Sequence, residues 1–405
     1  MSLFRLGRAL VLGVMIAALT PAFIHAQEPA PIRIGVSGPF TGGSAPMGLS
    51  MLNGIKLAVS EINGIGGING RRIELIERDD QANDALGGKI AEELTGMKVA
   101  ATIGIVNTGV GLASIDAYQK ARIPLMIAVS TGTSLTRKFA PPNASENYIF
   151  RVAPTLDLEA RVIVADLKRK GFDKAAIFAD ATAYGEAGLQ AFLREAAAAG
   201  LGVPVQERFR IGDTDMSAQV RNARASDARA LVVWGIGPEM AVIARNKDAL
   251  GWKVPMLGSW TLSMGNFIDP AGRAGEGALT PQTFIQDVGS SAKNSFLLAY
   301  HRAFGTVRIA SPMSAAQGYD GMHLLYLALR QANSTDGTKI KEALENLQHR
   351  YQGAITSYYR PFSREDHDAI TQNMVLMGRV SEGRVDYAYA DDQRRGALLR
   401  MKSRE

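Results

Sequence analysis

The chain has 405 residues, 46% of them hydrophobic, no cysteine and a formal charge of +6. The lack of cysteine excludes disulfides, thiol catalysis and a cysteine-borne lipid anchor, and the basic clusters are too short and scattered for a nucleic-acid-binding stripe. The length suffices for two domains with cores of their own.

The first 26 residues carry Arg5 and Arg8, an apolar run from Leu10 to Ala18, and Ile24-His25-Ala26 before Gln27. This pattern predicts a cleaved secretory signal peptide, too short for a membrane span, and hence a periplasmic protein. Ile32 to Val36 reads as the first strand and opens into a Gly- and Pro-rich loop. The next helix carries Leu52, Ile55, Val59 and Ile62 on one face and ends at Asn63-Gly64. The glycines at 66, 67 and 70 follow a helix and precede a strand, Arg72 to Arg78, so they read as a C-cap and turn and not as a dinucleotide loop. Asp79-Asp80 reads as a polar strand end capping the helix that starts near Ala82.

The most informative stretch runs from Val99 to Leu135. Apolar runs Val99 to Val106 and Pro124 to Val129 flank a helical pattern with Ile115, Tyr118 and Ala121. Short continuous apolar runs alternating with helices are buried parallel strands, and ligands collect at the carboxyl ends of such strands. Here those ends are Asn107-Thr108-Gly109 and Ser130-Thr131-Gly132, small residues and hydroxyls suited to an anion. No nucleophile–base pair accompanies them.

Tyr148 to Val152 leads into a second alternating unit. Its strands are expected at Ala175 to Phe178, Val203 to Phe209, Ala230 to Trp234, Val254 to Leu257 and Gly277 to Phe284. The intervening helices are Leu156 to Lys170, Tyr184 to Ala199, one from Met216, and Pro238 to Leu250. Helices Ala292 to Phe304, Met313 to Ala332 and Ile340 to Leu347 follow, then strand-like segments Met374 to Val380 and Arg384 to Tyr389. The expected fold class is α/β, with two doubly wound parallel-sheet lobes. His301, His323, His349 and His367 show no metal-ligand spacing, Asp366-His367-Asp368 reads as a solvated turn, and Asp320 as a structural helix residue. No P-loop, H-E-x-x-H or G-x-S-x-G occurs, so neither metal, cofactor nor enzymatic activity is expected.

The segments GPFTGGSAPMG, AVSEINGIGGINGRRIELIERDDQAN, VSTGTSL (129–135), FADATAYGEAGLQAF (178–192), WGIGPEM (234–240) and RPFSREDHDA (360–369) occur in one order. Together they resemble the periplasmic substrate-binding proteins of ABC importers, in the branched-chain amino-acid-binding (Leu/Ile/Val-binding) branch. The resemblance covers nearly all of the chain after residue 26. It implies a type I fold whose lobes are joined by a three-crossing hinge, near Arg151, Thr283 and Ala354. Lobe 1 is then 27–151 plus 284–354, and lobe 2 is 152–283 plus 355–405. It implies a monomer that binds a small carboxylate in the cleft and hands it to permease subunits. A ligand-sensing receptor of the same fold is the first alternative, and an exported enzyme on the same scaffold the second.

In the relatives a hydroxyl matching Thr108 and donors matching Val129, Ser130 and Thr131 hold the ligand carboxylate, with Asn107 beside them. A tyrosine matching Tyr184 closes over the ligand. Three positions depart from that pattern. Met47 and Ile236 replace aromatics, and Trp260 stands where the relatives have the acid that pairs with the ligand ammonium. A buried ammonium without an acid is strongly disfavoured, so the expected ligand is an organic acid with an aliphatic or aromatic body, lined by Met47, Ile236 and Trp260. Should an acid still serve an ammonium, Glu239 is the first candidate.

Overall fold

The computed structural model describes residues 29–397 and 401–402; the expected signal peptide lies outside them. Strands β1 (Ile32–Gly38), β2 (Ile73–Asp79), β3 (Ala101–Gly104), β4 (Leu125–Ile127) and β5 (Ile149–Arg151) form a parallel sheet in the order β2-β1-β3-β4-β5. Both faces are covered, as an all-parallel sheet requires. Ile103, Met126 and Phe150 join the core with Met51, Ile55 and Leu325. Their sequence neighbours Leu125, Ile127 and Ile149 pack on the other side with Ile90, Leu94, Ile115 and Tyr118. Alternation along each strand thus feeds two helical layers.

The second sheet repeats the plan. Strands β6 (Ala176–Asp180), β7 (Gln206–Phe209), β8 (Leu231–Trp234), β9 (Met256–Gly258) and β10 (Leu279–Gln282) are parallel, in the order β10-β9-β8-β6-β7. A hairpin, β11 (Tyr351–Gln352) with β12 (Ser357–Tyr358), stands apart. Strand β13 (Leu376–Ser381) then adds antiparallel to β10, and β14 (Arg384–Tyr387) antiparallel to β13. The architecture is therefore α/β, with two doubly wound lobes. In each, the first strand after entry lies between the second and third, so the strand order reverses between β1 and β3, and again between β6 and β8. Loops that leave such a reversal diverge and open a crevice.

Helix Ala45–Gly64 covers the first sheet together with Pro312–Ala332. Their backbones meet through two glycines: a Cβ on Gly54 would lie 2.1 Å from the Ala315 carbonyl oxygen, and one on Gly318 2.4 Å from that of Met51. The chain passes between sheets after Arg151 and after Gln282. The third passage follows Ala369 and not Ala354. Arg151 N–H donates to the His367 carbonyl, and Ala369 N–H to that of Arg151, both at 2.9 Å, so residues 367–369 extend the first sheet beyond β5. Arg151 dictates this. Its side chain is fully buried, and Asp368 supplies the carboxylate at 2.7 Å that such a cation requires. Short helices Ser134–Arg137, Gly265–Ala271 and Ala390–Ala397, and the β11–β12 hairpin, were not apparent from sequence periodicity.

Candidate functional site

The site begins with a strained turn at the end of β3. Gly104 has φ +145°, and a Cβ there would sit 2.0 Å from the Ser37 carbonyl oxygen. Ile105 follows at φ +61°, a left-handed conformation that a β-branched residue adopts only when its surroundings impose it. Its N–H donates to the Ser37 carbonyl at 2.9 Å, and its carbonyl accepts the Ser130 N–H at 3.0 Å. The kink thereby fastens the loop after β1 to the loop after β4.

Asn107 then occupies the N-cap position of helix Thr108–Ala121, without a side-chain cap, and its Nδ2 donates to Ser44 Oγ at 3.2 Å. Thr108 opens the helix and shares a 3.2 Å hydrogen bond with Ser130, Oγ1 to Oγ. Val129, Ser130 and Thr131 are buried, and the Thr131 carbonyl accepts the Leu156 N–H at 2.8 Å. Met47 lies in the apolar core of the first lobe. The hydroxyls of 108 and 130 are thus brought together beside the N-terminus of a 14-residue helix, which suits negative charge.

From the other lobe, buried Asp180 at the end of β6 accepts the N–H groups of Thr182 (3.0 Å) and Ile236 (3.1 Å). One carboxylate therefore ties the loops after β6 and β8 at the strand reversal. Thr182 caps helix Ala183–Ala198 and seats Tyr184 in its first turn. Trp260 starts a short 3₁₀ turn after β9. Tyr184, Ile236, Trp260, Met47 and Val129 belong to one continuous apolar cluster that spans both sheets. Asn107, Thr108 and Tyr184, with Asn83, Asp84 and Thr182, line a cavity of about 480 Å³ between the lobes. A larger cavity of about 690 Å³ lies by the Arg151–Asp368 pair, lined by Thr136, Arg161, Glu345 and Lys402, and collects none of these residues.

One residue of this site was missed in the sequence: Glu159. It lies in helix Leu156–Arg169, has no exposed surface, and its Oε2 accepts the Trp260 N–H at 3.0 Å. Its Oε1 has no hydrogen-bond partner, and neither have Thr131 Oγ1 and Tyr184 Oη. Burial pushes the Glu159 carboxyl up to about 8, against the Trp260 N–H and the Thr131 hydroxyl, which pull it down. Burial, and then the charge of Glu159, push the Tyr184 phenol well above its ordinary value. An acid does therefore face Trp260. A signal existed: Leu156, Glu159, Ile163 and Leu167 recur at helical spacing, which places an acid within an apolar stripe. Glu239, the acid named from sequence, is also buried: its Oε1 accepts the Gly212 N–H at 2.8 Å, and its Oε2 has no hydrogen-bond partner.

Among the described residues no cluster of three or more His, Asp or Glu could hold a metal ion, and no helix is long and apolar enough to cross a membrane. His367 is a packed residue, stacked on Phe150 and hydrogen-bonded to the Ile149 carbonyl.

Comparison with known proteins extends the geometry. A family model described as periplasmic binding protein matches residues 31–384. The chain is 28% identical over 344 residues to Leu/Ile/Val-binding protein homolog 2 of Brucella abortus (strain 2308), covering 84% of this chain and 88% of that one. The crystal structure of a periplasmic binding protein type 1 from Bordetella pertussis Tohama I superposes with a TM-score of 0.79 at 27% identity, covering 88% of this chain and all of that one. A solute-binding protein of an ABC transporter from Rhodopseudomonas palustris BisB5, in complex with 3,4-dihydroxybenzoic acid, has the same fold. Its TM-score is 0.73 at 20% identity, covering 88% of this chain and 95% of that one.

Proposed function

The chain belongs to the periplasmic binding protein family, and from that premise we propose that it captures a small organic carboxylate between its lobes and delivers it to the permease subunits of an ABC importer. It is a solute-binding protein of ABC-type transport, not an enzyme. The observation that carries the ligand class is the convergence of polar strand ends from both sheets on one apolar lining. Thr108 and Ser130 share a hydrogen bond between their hydroxyls in the first lobe, and Tyr184, Ile236 and Trp260 of the second belong to the same apolar cluster as Met47 and Val129. A carboxylate receives charge-assisted hydrogen bonds from such hydroxyls and from the helix start. Met47, Ile236 and Trp260 supply apolar walls for an aliphatic or aromatic body. That the same fold holds 3,4-dihydroxybenzoic acid in another protein supports room for an aromatic acid. In this reading the protein works as a monomer in the periplasm. The ligand bridges the lobes, so it favours the closed form by its differential affinity.

Calorimetry on matched pairs tests the ligand class: 4-methyl-2-oxopentanoate against leucine, and phenylpyruvate against phenylalanine. The acid without the amine is expected to bind tighter in each pair. Tighter binding of the amino acids overturns it.

A further inference from the structure

A carboxylate ligand does not by itself call for a buried acid beside Trp260 and Thr131. Glu159 is fully buried, yet no lysine, arginine or histidine forms an ion pair or hydrogen bond with it among the described residues. Its neighbours are dipoles and one further weak acid. On its own helix, Asp157 turns away to Arg137 and Arg194. Segment 259–261 contributes the Trp260 N–H, and the loop after β4 contributes the Thr131 hydroxyl. Helix Ala183–Ala198 contributes Tyr184, which itself feels Asp180 at the end of β6. An isolated carboxylate in such surroundings loses its hydration without compensation, whereas a carboxylic acid does not.

Three buried polar atoms have no well-formed hydrogen bond here: Glu159 Oε1, Thr131 Oγ1 and Tyr184 Oη, on residues exposed by 0%, 1% and 5%, although the Thr131 hydroxyl lies near enough to Glu159 to pull its carboxyl down. They come from both lobes. The Ser259 and Thr261 hydroxyls next to Tyr184 are already engaged, with each other at 2.7 Å and with the Gly235 carbonyl at 2.6 Å. Buried polar atoms are nearly always paired in a working state. With Oε2 occupied as the acceptor of the Trp260 N–H, the acid proton falls on Oε1, facing the two other hydroxyls.

We propose that Glu159 is a ligand-contacting residue that works as an un-ionised acid, donating together with Thr131 and Tyr184 to an oxygen of the bound organic anion. The proposal rests on the carboxylate reading of the cleft and deepens it. Specificity against amino acids then arises from a donor placed where an ammonium would need an acceptor. The tall upward displacement of the Glu159 carboxyl by burial supports this form at neutral pH. Anion binding is accordingly coupled to one proton, which must be in place on Glu159 for the anion to enter.

The test has two arms on the full protein. In the first, tryptophan fluorescence of the ligand-free protein is followed from pH 6 to 10. The wild type should show an inflection near 8 that Glu159→Gln lacks. In the second, phenylpyruvate and phenylalanine are titrated at each pH. Phenylpyruvate affinity should be flat below neutrality and fall about tenfold per pH unit above roughly 8. Glu159→Gln keeps a donor of the same shape, so it should bind phenylpyruvate within about threefold at pH 7 and lose the alkaline fall. Tyr184→Phe, which removes one donor and keeps the ring, should bind several-fold more weakly with the pH profile retained. An unchanged alkaline fall in Glu159→Gln overturns the proposal. So does preference for phenylalanine with a hundredfold or greater loss in that variant, which marks an ionised partner for ammonium. If the acid binds but the inflection is missing, this proposal alone falls. If the inflection is present and no acid binds, the carboxylate reading falls and takes the proposal with it.

Discussion

Two buried acids, one under the β11–β12 hairpin and one beside Trp260, carry opposite lessons. Asp320, in helix Pro312–Ala332, has no exposed surface and forms no ion pair within 4 Å among the described residues. Its carboxylate accepts the Ala354 N–H (2.7 Å), the Ile355 N–H (2.9 Å) and the Tyr358 hydroxyl (3.0 Å). Glu159 is as deeply buried and accepts one N–H. Full satisfaction marks a bracket, here one that holds the β11–β12 hairpin to the first lobe. A half-satisfied acid at the end of two sheets marks a place for something else. Burial alone does not separate the two. The hydrogen-bond inventory does.

The largest effect that can break this contrast is on stability. Asp320→Ala strands two buried N–H groups and a phenol, and should cost roughly 3–5 kcal/mol in urea unfolding. Glu159→Gln should not lower stability at neutral pH and should raise it, since its single acceptor survives and folding no longer requires a proton on this side chain. Equal losses would make Glu159 a structural bracket too. A smaller effect separates the cradle from the hinge. Thr108→Ala should weaken carboxylate binding by roughly 1–3 kcal/mol in calorimetry and barely change stability. Thr136→Ala should do the reverse, because its hydroxyl donates to Asp368 and accepts from Arg151, both at 2.9 Å. Matching effects on binding from the two would show that Thr108 is only a strand-end residue.

The smallest effect is a slope with pH. Burial raises Asp80 and Asp320 to about 6 and Glu159 to about 8 in the folded protein. Unfolded carboxyls titrate near 4. The folded state therefore binds more protons in the window between, so these groups make stability fall as pH rises through it. Between pH 6 and 8 only Glu159 of the three still contributes, on the order of 1 kcal/mol per pH unit. Chemical denaturation across that range should show the fall in the wild type and a flatter line in Glu159→Gln. Parallel lines would mean that Glu159 is ionised throughout.

Much of this was legible in the sequence because the parallel strands are short, apolar runs with small residues at their ends. The β3 and β4 ends, and hence Thr108, Ser130 and Thr131, follow from that pattern. The helices start and stop within a few residues of their expected limits, since caps such as Thr155, Thr182 and Ser290 sit where the apolar stripes begin. What periodicity could not reveal depends on contacts distant in sequence. The helical spacing of Leu156, Glu159, Ile163 and Leu167 marks Glu159 as an acid in an apolar stripe, but its contact with the Trp260 N–H, 101 positions away, is not local. The return to the first sheet at 367–369 depends on Arg151 needing Asp368, a pairing across 217 positions. The strained Ile105 has no local cause at all, only the demand that one carbonyl reach Ser130.

The interleaving of the two lobes also bears on how the protein is made. The first sheet has all five of its strands by Arg151, yet helix Pro312–Ala332, which covers one of its faces, comes from the far side of the second lobe's parallel strands. The second sheet in turn waits for β13 and β14 to protect its β10 edge. Neither lobe can close its core while the chain is still emerging from the N-terminus. The first holds an uncovered apolar face until helix Pro312–Ala332 arrives, and the second an open strand edge until β13 and β14 do, and such species are prone to aggregate. High sequence separation of these pairings also makes closure slow. The arrangement favours a chain kept extended until synthesis is complete and then folded as a whole.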